Sequence, residues 1–161
     1  YFIDAGHSTT IYNGECVKIS SGYVVGGNGS AANIVGVLNG IFYNDASTLK
    51  PTFANFYKAT ITPANSEDTV AFVMDDPFQQ YVVSSDAART QAQFLATYDM
   101  NSSAGSDTTG KSSSTLDTSE TSADGKQFRL IRSAEDPENE DITAAFFSGI
   151  VVSNLNSYNQ V

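Results

Sequence analysis

Apolar and polar residues alternate in short runs along most of this chain, the period of strands that turn one face to a core. Val17 and Ile19 alternate with Cys16 and Lys18, and Tyr23 to Val25 follow Ser20-Ser21-Gly22, which predicts a tight hairpin. Ile34 to Tyr43 is apolar on both faces, with Gly36 and Gly40 on the face of Ile34, Leu38 and Phe42. This predicts a buried, bent strand whose glycines mark a bulge or a close backbone approach. Val70, Phe72 and Met74 share a face of another strand, and Tyr81 to Val83, Phe128 to Arg132 and Ala145 to Val152 predict three more. One short helix is expected, capped by Asp86, with Ala88, Ala92 and Leu95 as its apolar stripe. The spacing predicts an all-β chain with that one helix, folded as a small β-barrel or a sandwich.

Two segments break the alternation. Residues 26 to 33, GGNGSAAN, read as a loop, since they lack the glycine spacing and the lysine of a phosphate cradle. Residues 101 to 127 hold 13 Ser or Thr in 27 positions, with Leu116 as the only large apolar side chain. Such a stretch is expected to be a long loop, either mobile or lying on a neighbour, within a single domain spanning residues 1 to 161.

Charge narrows the partners. The 161 residues carry 18 acids and 8 bases, a net charge of -10, which disfavours binding to nucleic-acid phosphates. No run of about 18 apolar residues and no charged-then-apolar leader is visible, so no membrane contact is expected. Cys16 is the single cysteine and allows no intrachain disulfide.

Candidate chemistry starts with two acid-proline punctuations, Asp75-Asp76-Pro77 and Glu135-Asp136-Pro137. Adjacent acids on extended backbone point to opposite sides, and Asp before Pro readily bonds nearby amides, so both predict strand ends and turns and no catalytic pair. Asp136, Glu138 and Glu140, with Glu135 and Asp141 beside them, are hard oxygen donors of the calcium-ligand type, although the central glycine of an EF-hand loop is missing. The competing reading is a solvated acidic loop, and no cofactor is expected. His7 and Cys16 lack any nucleophile motif, so no enzyme is expected and no catalytic residue is assigned. Phe53, Phe56 and Tyr57 are candidates for an aromatic contact surface or for core. Arg129 and Arg132, on opposite faces of their strand, are candidates for ion pairs across an interface.

In order along the chain, IVGVLNGIFYNDASTLKPTFANFYKA, TVAFVMDDPFQQYVV, TTGKSSSTLD, KQFRLIRSAEDPENED and GIVVSNLNSYN resemble the head decoration, or structural cement, proteins of tailed bacteriophages, above all marine and cyanobacterial ones. The similarity spans roughly residues 34 to 158 and rests on the order of strands and turns. Family members tend to carry a basic residue before the second acid-proline turn; here Ser133-Ala134 separates Arg132 from Glu135. The resemblance implies a homodimer or homotrimer, made in the host cytoplasm, that binds the major capsid protein on the outer surface of the virion and bridges neighbouring capsomers. On that footing the contact residues would come from Phe53, Phe56, Tyr57, Arg129 and Arg132. The alternative is a β-sandwich adhesion or glycan-binding module of a virion or cell surface.

Overall fold

The computed structural model describes residues 1–29, 33–101, 105–122 and 125–158. By its internal contacts the chain divides into two compact units. One comprises Tyr1–Gly27, Val35–Asp75 and Ala104–Ser113, the other Asn28–Ile34, Asp76–Ser103 and Ser114–Val161. Each holds its own antiparallel sheet, so the all-β class read from the alternation is the one observed. Neither sheet closes into a barrel, and among the described residues no helix is long and apolar enough to cross a membrane.

The first unit contains β1 (Phe2–Ile3), β2 (Cys16–Ser20), β3 (Tyr23–Gly26), β4 (Gly36–Asn44), β5 (Pro51–Ala54) and β6 (Thr69–Met74), ordered β1-β6-β4-β2-β3, with β5 also on β4. Ser21 and Gly22 both have positive φ, 51° and 89°, which closes the β2–β3 hairpin with the twist its strands need. Strand β4 pairs with β2 at Val37 and Gly36, then passes the same edge to β5 at Ile41 to Asn44. A bulge between Leu38 and Gly40 makes that exchange possible. It also corrects the expectation that Leu38 and Phe42 share a face. The extra residue Asn39 lets Leu38 and Ile41 both enter the core with Ile3, Ile11, Val17, Val24, Tyr57 and Ala71, and turns Phe42 to the other side.

Glu15 is buried where the chain enters β2, its carboxylate accepting the Tyr12 amide at 3.0 Å. Burial pushes this carboxyl above the ordinary glutamate value, and the Tyr12 bond offsets only part of the rise. A raised folded-state value favours the protonated form. This group's contribution is therefore present below the unfolded value and lost as pH rises through the folded one. Glu15→Gln is expected to be more stable than the parent at pH 8, with the advantage narrowing toward pH 5. Urea midpoints at the two pH values check it, and a constant difference would contradict it.

The second unit contains β7 (Gln80–Ser84), β8 (Thr97–Met100), β9 (Leu116–Ser122), β10 (Phe128–Ser133) and β11 (Ser148–Ser153), ordered β7-β11-β10-β8-β9. Tyr98, Leu116, Phe128, Leu130, Phe147 and Val151 are buried in it.

The expected helix after Asp86 is not formed. Only a 3₁₀ turn, Gln91–Gln93, appears there, because long-range partners take the donors a helix needs: the Arg89 amide bonds Ile142 and the Leu95 amide bonds Leu130. Asp86 accepts the Thr118 amide at 2.9 Å instead of capping a helix. Local propensity is a weak prior, and tertiary pairing overrides it here.

The Ser/Thr-rich segment also differs from the expected loop. Its Leu116–Ser122 portion is edge strand β9, anchored by fully buried Leu116 against Met100, and a polar sequence suits an exposed edge. Residues 105–113 close a turn on the first unit. There Ser112 donates to the Asn13 carbonyl (2.9 Å), Asn55 Nδ2 to that of Thr109 (2.8 Å) and the Tyr12 hydroxyl to Asp107 (2.8 Å). Residues 30–32 of the expected glycine-rich loop, and 102–104 and 123–124 of this segment, lie outside the described residues.

Candidate functional site

The bulge in β4 determines what the first sheet shows to solvent. Downstream of it, register places Phe2 opposite Val70, Val70 opposite Phe42 and Phe42 opposite Phe53, so four apolar side chains lie side by side across β1, β6, β4 and β5. Phe72, two residues beyond Val70, joins the same face. Neighbouring Ile3, Ala71 and Ile41 point the other way, into the core. The row is uncovered: Phe2 is 55% exposed, Phe53 72% and Phe72 44%.

Gly40 sits on β4 between the strands that carry Phe53 and Phe72. It lies opposite Phe72 with φ of 139°, and the Phe53 and Phe72 rings stack across β4 at 6.3 Å between centroids, 13° from parallel. A Cβ at this point would come 3.1 Å from the Ala54 carbonyl oxygen. Phe42 packs against Phe53 at 4.8 Å. Such ring pairs are worth roughly 0.5–1.5 kcal/mol beyond their buried area, which helps hold large apolar groups in water without collapse.

Two carboxylates stand beside the row. A shallow recess of about 340 Å³ between Phe2, Phe42 and Val70 is also lined by Glu67 and Asp68. Asp68 accepts the Ala5 amide at 3.1 Å, and its charge and hydrogen bond raise the Tyr23 hydroxyl above the ordinary tyrosine value. At the end of β4, Asp45 accepts from the Ser47 hydroxyl and the Thr48 amide, bonds that hold its carboxyl below the usual range and keep it charged at neutral pH. Asp75, past the end of β6, accepts the Tyr1 hydroxyl at 2.8 Å. Lys50 precedes Pro51, the first residue of β5.

The residues singled out in the sequence take different places. Phe53 is on the exposed row. Phe56 is half-buried and stacked on Tyr12 at 5.8 Å, and Tyr57 is core, its hydroxyl donating to the His7 carbonyl. Arg129 spends its guanidinium within the second unit, on the Leu95 carbonyl and on Asn154 Oδ1 at 3.0 Å. Arg132 is exposed and lies 3.4 Å from Glu135.

The two acid-proline turns repeat one hydrogen-bond pattern. Asp76 Oδ1 accepts the Phe78 amide and the Asp76 carbonyl accepts that of Gln79; Asp136 does the same with Glu138 and Asn139. Proline follows at the turn position whose φ it pre-sets. With Asp136 in its turn, Glu135 on Arg132 and Asp141 on Thr143, each acid of the proposed calcium loop that forms a described bond is engaged locally. Among the described residues no three His, Cys, Asp or Glu side chains are grouped to hold a metal ion. Cys16 is buried in β2, and His7 packs against the Tyr57 ring at 5.5 Å, with burial lowering its pKa.

Sequence reading missed Phe2, Phe42 and Phe72 as partners of Phe53, and missed Arg89. That side chain is almost wholly buried, 4.5 Å over the Tyr98 ring, and its Nε and Nη2 lack hydrogen-bond partners among the described residues. No protein-family model, no curated protein and no solved structure matches this chain.

Proposed function

We propose that the protein is a structural, non-enzymatic component of a phage head, binding the outer surface of the shell and bridging neighbouring capsomers of the major capsid protein. The observation that carries this reading is the uncovered aromatic row Phe2, Phe42, Phe53 and Phe72, held by a sheet whose opposite side is core. The order of strands and acid-proline turns supports it. A rigid sheet presents such a contact at little ordering cost, and interfaces of roughly 1,200–2,000 Å² repeated over a shell add up to substantial reinforcement. The acidic composition suits the outside of a particle better than contact with packaged DNA.

Co-sedimentation tests it. Purified protein pellets with capsids stripped of their decoration, and the refilled capsids break open at a higher temperature than the stripped ones. Protein that stays in the supernatant sinks the proposal. A second reading, an adhesion or glycan-binding module, draws on the same rings flanked by Glu67 and Asp68. Binding on a glycan array together with indifference to capsids would favour it.

A further inference from the structure

We infer that the aromatic face of the first sheet takes a partner surface that presents apolar side chains framed by lysine or arginine, and that it does not pair with a second copy of itself. This rests on the reading of the face as a docking surface, but not on the identity of the shell.

The argument is one of charge complementarity. An apolar row of this kind gains from being covered whatever covers it, in proportion to the area removed from water. Apolar area alone therefore does not choose a partner. The rim does. Glu67 and Asp68 lie in the recess beside Phe2 and Phe42. Two copies meeting through this face would bring acid rim against acid rim, and like charges across an interface oppose association. A partner with basic residues around an apolar centre gains from both features.

The test needs no capsid. Fluorescent soluble peptides alternating Leu with Lys, or Leu with Glu, are titrated against the intact protein, against Phe53→Ser/Phe72→Ser, and against Glu67→Gln/Asp68→Asn. These four side chains lie outside the buried core of the sheet, and unchanged melting curves confirm that the variants fold. The Leu/Lys peptide is expected to bind the intact protein at least about tenfold more tightly than either variant, and the Leu/Glu peptide to bind none. Equal affinity of the Leu/Lys peptide for all three proteins overturns the inference, because it marks diffuse attraction to a negative protein. An intact protein that sediments as a dimer, with the Phe53/Phe72 variant a monomer, overturns it too, since the occupant is then a second copy. If the peptide results hold but capsids are not bound, the phage-head reading fails and this inference stands.

Discussion

Gly36→Ala is expected to destabilise the protein by about 3 kcal/mol or more, the range reserved for substitutions that force a backbone or core to move. In a chain of this size that lowers the melting temperature by roughly 6–12 °C. Gly36 pairs with Val17 of β2, and its neighbour Val37 pairs with Met74 of β6. A Cβ built on Gly36 would lie 2.1 Å from the Met74 carbonyl oxygen and 2.8 Å from both the Met74 carbonyl carbon and Val73 Cγ1. Two of those atoms are backbone, so no side-chain rotation removes the clash and β6 must separate from β4. Gly6→Ala is the control. Its nearest neighbour is the exposed Asp4 carboxylate at 3.0 Å, which can swing away, and its melting temperature should match the parent's within about 2 °C. Thermal melts of both variants decide the matter, and equal shifts would refute the account of β4.

The second large effect lies in the other unit. Lys126 Nζ sits 3.0 Å from Asp99 Oδ2 with both side chains largely shielded from water, and the other Asp99 oxygen accepts the Gln127 amide at 3.2 Å. Fully buried Gln127 in turn accepts the Met100 amide through its side chain, while its carbonyl takes the amides of Asn154 and Leu155. Lys126→Met removes the charge partner and leaves a carboxylate inside this knot. Breaking a buried pair from one side costs about 3–5 kcal/mol, most of it the penalty of the uncompensated charge. Lys58→Met supplies the contrast, because its 3.6 Å pair with Asp107 is about half exposed and such pairs contribute roughly 0–1 kcal/mol. Urea denaturation should separate the two variants by at least about 2 kcal/mol, and a Lys126 variant that behaves like the Lys58 variant would show the knot to be solvated.

What the sequence revealed follows from which interactions are local. The alternation in Val70 to Met74 and the turn chemistry of Asp76-Pro77 and Asp136-Pro137 involve residues two or three positions apart, and each is found as read. The glycines of β4 marked both a bulge and a close approach, as strand glycines tend to. Which face Phe42 takes was not legible. A single extra residue reverses the side of every later position, and the alternation upstream cannot announce it. The segment from Asp86 to Leu95 has a helical stripe, yet its amides bond carbonyls of Ile142 and Leu130 far along the chain. The serines and threonines of β9 looked like loop because the strand's apolar anchor is the lone Leu116. The candidate site was legible only in Phe53. Its companions on β1, β4 and β6 meet it through register, which sequence spacing does not encode.

On the proposed function, the Phe53 face is covered when the protein sits on a phage head. An image reconstruction of the phage head at side-chain resolution tests it most directly. The account predicts Phe2, Phe42, Phe53 and Phe72 buried against the major capsid protein, with its lysine or arginine side chains beside Glu67 and Asp68. A bound subunit whose aromatic row faces solvent, or a head that carries no such subunit, would contradict it.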